Sequence, residues 1–289
     1  MVISMQEILN WCNTEHKALW EYMLYDDMQE RKVTEEASLA TMETALDVMI
    51  ETTDSYRADV MSASGLVGDE GGKLETYRSN GTALCGDYMG AAMVIALKMA
   101  ESNACMRRIV AAPTAGSCGV IPAVLIPYYK LHMGTKKALV KALYVSGAIG
   151  EVIARRASIS GAAGGCQAEI GAASAMACGA LVFLRGGSNE QICHGAALAL
   201  KGLLGLVCDP VAGLVEIPCV KRNVLGAVNA ISCTDMVMAG IQSKIPVDEV
   251  IDAMGEIGSK MDASLRETSG GGLATTPTAL HIMEHTNTP

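Results

Sequence analysis

Aromatic side chains are scarce in this chain of 289 residues: one Phe, two Trp and eight Tyr, 4% in all. A core must therefore be built from Ala, Val, Leu, Ile and Met, and the 18 Met and 30 Gly suit a closely packed interior of little bulk. Basic residues are also few. Twenty-two Lys and Arg against 31 Asp and Glu give a formal charge of −9. That argues against nucleic acid as a partner, because phosphate binding needs clustered positive charge, and it leaves no basic amphipathic face for an anionic membrane. No apolar run reaches the roughly 20 residues of a spanning helix. The most apolar stretch, Ile170 to Leu184, stops after 15 residues between Glu169 and Arg185, and the next, Ile192 to Val207, carries His194 and Lys201. Both are predicted to be buried core helices, so no membrane association is expected. Met1 to Glu7 lacks the basic region and cleavage site of a signal peptide, and a cytoplasmic protein is expected. With half its residues hydrophobic, the chain is not disordered.

No pair among the ten cysteines has Cys-x-x-Cys spacing, so zinc ribbons, thioredoxin-like redox sites and ferredoxin-type runs find no support. Secreted disulfide scaffolds are shorter and richer in Cys; reduced thiols are expected here. Most read as small buried hydrophobes, and Cys178 and Cys193 sit in Ala/Leu-rich helical stretches. Cys166, Cys208 and Cys219 differ, because Gly or Pro punctuates their surroundings: Ser160-Gly-Ala-Ala-Gly-Gly-Cys-Gln-Ala-Glu169, Cys208-Asp-Pro-Val-Ala-Gly213 and Glu216-Ile-Pro-Cys-Val-Lys-Arg-Asn223. Loops of this kind can turn side chains toward a shared centre. Cys166 precedes an Ala-rich helix and Cys219 follows Pro218 at another helix start, positions where free N–H groups favour the metal-binding thiolate.

Strand alternation is missing, and helical periodicity is nearly everywhere. Ser4-x-x-Glu7 is a capping box opening a helix expected to run to about Asp27. Leu39, Met42, Leu46, Met49 and Ile50 mark a one-faced helix. Further helices are predicted over 80–101, 136–155, 167–184, 188–207, 223–242 and 246–261. Glycine and alanine at 162–164, 171–173 and 179–180 allow central helices close approach. The expectation is one all-α unit over residues 1–289, a compact helical domain in which 1–60 form an outer helical pair.

Three further loops could carry chemistry. Ser62-Ala-Ser-Gly-Leu66 continues to Gly68-Asp-Glu-Gly-Gly-Lys73; Ala112-Pro-Thr-Ala-Gly-Ser-Cys-Gly-Val-Ile-Pro122 precedes an apolar helix; Arg266-Glu-Thr-Ser-Gly-Gly-Gly-Leu-Ala-Thr-Thr-Pro277 lies near the end. Backbone N–H groups and hydroxyls in such loops suit a small carboxylate, although ordinary turns and caps have the same composition. No Walker loop, dinucleotide fingerprint or Gly-x-Ser-x-Gly elbow occurs. His281 and His285 stand four apart beside Glu284, where surface exposure is expected. A pyridoxal phosphate enzyme would need a buried Lys and a phosphate cup; Lys73 beside Gly71 and Gly72 is a loose candidate, and the all-helical pattern disfavours it.

Taken in order, six segments closely resemble the α chain of the iron–sulfur-dependent bacterial L-serine dehydratases. They are Ser64-Gly-Leu66, Ala112-Pro-Thr-Ala-Gly-Ser117, Gly164-Gly-Cys-Gln-Ala-Glu169, Cys208-Asp-Pro-Val-Ala-Gly213, Ile217-Pro-Cys-Val-Lys-Arg-Asn223 and Gly271-Gly-Leu-Ala274. The gaps of 42 and 11 residues between the three cysteines match that family too. The resemblance implies a 4Fe–4S cluster on Cys166, Cys208 and Cys219 with one iron open, acting as Lewis acid on the β-hydroxyl of L-serine while a base removes the α-proton. The products are pyruvate and ammonia, without pyridoxal phosphate. It further implies that Ser64, Thr114 and Ser117 hold the substrate's carboxylate or amino group, that Lys73 and Arg222 supply positive charge, and that Gln167 and Glu169 orient Cys166.

Two departures bear on the partner. Single-chain members carry a preceding β portion with Gly-Pro-Ser-Ser-Ser-His-Thr, which does not occur here, so a separate β chain supplying the base is expected, in a heterodimer or larger oligomer. Some relatives end in a cysteine that caps the open iron; this chain ends His285-Thr-Asn-Thr-Pro289. Alternatives are a cluster-dependent lyase for L-cysteine or L-threonine, a structural or regulatory subunit with core cysteines, and a redox sensor, against which the charge and missing DNA-binding motif count.

Overall fold

The computed structural model describes residues 4–286, and the first and last three residues of the expected 1–289 unit lie outside it. Among the described residues the chain is all-α as expected, with no strand beyond a single bridge between Cys208 and Arg266. Thirteen helices follow in order: α1 (Met5–Glu15), α2 (Leu19–Arg31), α3 (Glu35–Asp54), α4 (Glu70–Ser79), α5 (Asp87–Ala104), α6 (Val120–Lys130), α7 (Lys136–Arg156), α8 (Gly161–Gly164, one turn), α9 (Ala172–Leu184), α10 (Asn189–Lys201), α11 (Cys219–Met238), α12 (Val247–Lys260) and α13 (Pro277–His285).

Helix α9 is the axis. Every residue from Ala172 to Val182 is buried, and α6, α7, α10 and α11 pack around it. Together with the wide turn Gln167–Gly171 before it, α9 is apolar over 18 residues, but 83% of that window is buried inside the protein, as expected of a core helix. Small residues set the helix spacing. A methyl group on Gly179 of α9 would lie 2.2 Å from Ile149 Cδ1 of α7, and one on Gly195 of α10 would lie 2.9 Å from the Cys178 sulfur. The few polar atoms at this centre are paired. Ser174 donates to Gly226 O (2.8 Å), and Asn229 donates to Ser174 Oγ and Ala199 O (both 2.9 Å), joining α9, α10 and α11.

Several boundaries differ from the sequence expectation. The first helix breaks at His16, which takes a left-handed conformation (φ 53°). A new helix then starts where Asn189 accepts from the Leu19 N–H at 3.0 Å, a long-range cap that no local pattern announces. The described part of 1–60 thus holds three helices, not a pair. The end of the first glycine-rich loop, residues 70–73, instead opens α4, and the helix expected from residue 80 begins at Asp87. Helix α10 stops at Lys201, short of Val207, and α11 begins at Cys219, before Asn223. Helix α13 had no sequence forecast; Thr276 caps it and Pro277 opens it.

Two substitutions check the small-residue account. Gly179→Val forces two extra branches into the α7–α9–α10 junction and is expected to destabilise by about 1–3 kcal/mol. Gly147→Ala is a control, because its methyl would sit 3.8 Å from Met23 Cγ, an ordinary contact. It is expected to stabilise by about 0.5–1 kcal/mol through helix propensity. Urea unfolding midpoints read both; equal losses at the two sites would refute steric spacing as the cause.

Candidate active site

Three chain segments bring Cys166, Cys208 and Cys219 together. Cys166 lies between α8 and the wide turn leading into α9, Cys208 lies in the connection after α10, and Cys219 is the first residue of α11. Gln167, which is 1% exposed, joins the first two segments. Its backbone N–H donates to Leu206 O (2.9 Å) and its side-chain oxygen accepts from the Gly205 N–H (2.9 Å). Its amide nitrogen donates to Gly164 O (2.9 Å) and Met254 O (3.0 Å). The Cys208 backbone is held by Leu265 O and the Glu267 N–H, both at 2.8 Å.

Arg222, one turn into α11, closes the group. It donates to Val207 O (2.7 Å) and Asp209 Oδ1 (2.9 Å), on either side of Cys208, and its charge acts on the Cys166 thiol. The other Asp209 oxygen accepts from the Leu273 N–H at 2.8 Å. There Gly272 has φ 62°, and a Cβ on it would fall 2.5 Å from that oxygen. Close approach and the left-handed region together require glycine, which explains the Gly271-Gly-Leu-Ala274 motif.

Burial dominates the electrostatics. It pushes the Cys166 thiol up to about 11, and the charge and hydrogen bond of Arg222 only partly oppose it. Cys219 is pushed up to about 12 by burial and by the proximity of Cys166. Cys208 is also raised, by burial and then by Cys166, Glu169 and Cys219. The helix-start argument predicted easier ionisation; loss of water outweighs it. Glu169, partly buried, is raised as well, by burial against the opposing hydroxyl of Thr114, with Glu267 adding to the rise. Glu169 faces the cysteines across a glycine gap: a methyl on Gly161 would sit 2.7 Å from Glu169 Oε2 and 3.1 Å from the Cys208 sulfur.

The two hydroxyl loops converge on the same region. Thr114 Oγ1 and Ser117 Oγ are 2.9 Å apart. The loop that carries them is fixed to α11 by fully buried Asn223, which accepts from the Gly119 N–H (2.9 Å) and donates to Gly116 O (2.8 Å) and Cys219 O (3.0 Å). Ser62 and Ser64 both donate to Glu216 Oε2, at 3.0 and 2.5 Å. Their loop is set by Glu101 of α5, whose carboxylate is completely buried. It accepts from the backbone N–H groups of Gly68, Glu70 and Gly71 and from the Tyr56 hydroxyl. That acceptor set makes residues 70–79 start a helix despite their glycines. Lys73 stands apart: its side chain is 71% exposed and paired with Asp69 at 2.7 Å. His281, Glu284 and His285 are exposed on α13, as expected, with ligand atoms within 4.8 Å of one another.

Sequence reasoning gave no role to Asn223, Asp209, Glu101 or Glu216. The last two did leave a signal, a lone carboxylate in an apolar stretch, which is costly to bury unless several donors meet it. Asn223→Asp keeps the acceptor for Gly119 but sets a second oxygen against two carbonyls. A loss of roughly 3 kcal/mol in chemical unfolding is expected, and an unchanged midpoint would show that the clamp holds nothing.

The family model described as serine dehydratase alpha chain matches residues 14–274. The probable L-serine dehydratase, alpha chain, of Bacillus subtilis is 45% identical over 98% of this chain and 94% of its own length. The L-serine dehydratase, alpha chain, of Peptoniphilus asaccharolyticus is 39% identical over 98% and 97%. An L-serine dehydratase of Helicobacter pylori is 37% identical over 94% of this chain but only 61% of its own. A chain matched end to end by two such relatives, and by the family model over most of its length, belongs to the serine dehydratase alpha-chain family.

Proposed function

We propose that this chain is the catalytic α chain of a cytoplasmic L-serine dehydratase, a lyase that converts L-serine to pyruvate and ammonia. Its cofactor in this reading is a 4Fe–4S cluster on Cys166, Cys208 and Cys219. The observation that carries the proposal is the convergence of these three cysteine segments around Arg222. Family membership supports the substrate, since the relatives are named L-serine dehydratases. The cysteines are all unpaired, in keeping with a reducing compartment.

The donor set fits such a group better than it fits one metal ion. Sulfurs around a single tetrahedral ion lie about 3.8 Å apart, given metal–sulfur bonds of about 2.3 Å. Among the described residues these three sulfurs do not all come within 4.8 Å of one another, although each of Cys208 and Cys219 feels the charge of Cys166. Three poorly hydrated thiols raised in pKa need a strongly positive group to ionise, and a 4Fe–4S cluster would supply it. Bound there, the cluster supplies a Lewis-acidic iron for the substrate hydroxyl.

The remaining roles belong to protein groups. Arg222 offsets the negative charge of the thiolates and holds the Cys166 and Cys208 segments in register. Glu169 is kept protonated more readily than an exposed carboxyl, and Gly161 lets it stand close to the Cys208 sulfur. Thr114 and Ser117 present hydroxyls for a substrate carboxylate. The α-proton acceptor is assigned to a separate β chain, consistent with alpha chains being named as such and with the additional length of the Helicobacter pylori relative.

Anaerobic reconstitution with iron and sulfide tests the reading. A brown chain that forms pyruvate from L-serine when its β chain is added is the expected outcome. Cys208→Ser is expected to lose the visible absorption and the activity together. Arg222→Lys keeps the charge without the fork, and a fall in iron affinity of about 10–100-fold is expected. A colourless wild-type chain, or activity that survives Cys208→Ser, overturns the cluster. L-cysteine and L-threonine in the same assay settle substrate preference.

A further inference from the structure

Glu216 has no role in the reaction as drawn so far, and its surroundings are unusual. The residue is 6% exposed, yet among the described residues no Lys, Arg or His pairs with it. The basic residues that follow it in the chain are engaged elsewhere: Lys221 with Glu70 and Arg222 with Asp209. A carboxylate so nearly withdrawn from water retains its charge only if donors or a cation meet it. Two neutral hydroxyls, Ser62 and Ser64, do so, and both bond the same oxygen, Oε2. Oε1 has no hydrogen-bond partner among the described residues, and it is not sealed from solvent either.

The polarity of the serines sharpens this. A hydroxyl has one proton to give. Ser64 gives its proton to Glu216, receives the Leu66 N–H at 3.1 Å and lies 2.9 Å from the Ser62 oxygen, so it has no proton left to offer a ligand. Ser64 is therefore set to accept, which suits an amine and not the carboxylate that loop chemistry first suggested. Glu216 Oε1 and the serine oxygens form an acceptor face three residues from Cys219. The chain neighbour of Glu216, Val215, brings this segment up to the Glu169 loop, since a methyl on Gly116 would touch both Val215 Cγ1 and Glu169 Oε1 at 3.4 Å.

We propose that Glu216, with Ser62 and Ser64, binds the α-ammonium group of the amino-acid substrate and so selects amino acids from other β-hydroxy acids. An ammonium has three donors and the positive charge this pocket lacks. The assignment rests on the amino-acid lyase reading above, and its test reads binding, not turnover.

L-serine and 3-hydroxypropanoate share the carboxylate and the β-hydroxyl and differ in the amine. Both are titrated calorimetrically into the full chain with its β chain, in wild type, Glu216→Gln and Glu216→Asp. Gln keeps an acceptor for both serines and removes the charge; Asp keeps the charge on a shorter stem. The expected result is that Glu216→Gln weakens L-serine at least about tenfold, leaves 3-hydroxypropanoate within about twofold, and that Glu216→Asp recovers part of the preference. Equal weakening of both ligands, no change in either, or a wild type that binds neither overturns the assignment. An L-serine affinity that follows potassium concentration in wild type and not in Glu216→Gln also overturns it, placing a metal cation at Oε1. Iron content is measured on the same samples. A colourless protein that still loses its preference for L-serine on Glu216→Gln counts against the cluster while supporting the ammonium site.

Discussion

Arg222 sits where three demands meet. Its guanidinium binds Val207 O and Asp209 around Cys208 and its charge acts on the Cys166 thiol, while its backbone belongs to the helix that Cys219 opens. Without a cation at this point, three thiols, Asp209 and Glu169 would share a poorly hydrated pocket with no compensating charge. The planar fork matters as much as the charge, because it reaches separate acceptors in fixed directions. Gln167 and Asn223 repeat the principle with neutral amides, each joining segments far apart in sequence through donors and acceptors that have nowhere else to go.

The core makes this network possible. Segments that meet at the cysteines extend from α9, α10 and α11, which pack at distances that glycine and alanine permit. A bulkier core would move the ends of these helices apart. The scarcity of aromatic residues is thus connected to the site: small side chains fix the helix axes closely, and the loops at their ends inherit that precision. Polar groups at the centre, such as Ser174 and Asn229, are fully paired and add directional restraint where apolar contacts alone would allow sliding.

Charge is distributed with a division of labour. Glu216 gathers Ser62 and Ser64 on one loop while Thr114 and Ser117 stand on another, and each loop is fixed by a buried polar residue, Glu101 for the first and Asn223 for the second. Glu101 replaces local capping: its carboxylate, brought from α5, takes three backbone N–H groups and starts a helix in a glycine-rich stretch. Neither loop could hold its conformation through its own sequence.

Sequence alone determined the helical class, the aliphatic core and the three cysteines that stand apart from the seven others. Periodicity, capping residues and Gly/Pro punctuation are local signals, and these features depend on local chemistry. Family resemblance added Gln167, Glu169, Arg222 and the serines as a group, without saying what each touches. Tertiary structure decided the rest. It broke the first helix at His16 through a cap from Asn189, made a helix of residues 70–79 through Glu101, and turned Lys73 to solvent. It also reversed the expected ease of thiol ionisation, because burial depends on what packs around a residue and not on its neighbours in the chain. The same reason hid Glu216: a carboxylate's role depends on which donors surround it, and here they come from a loop about 150 residues away.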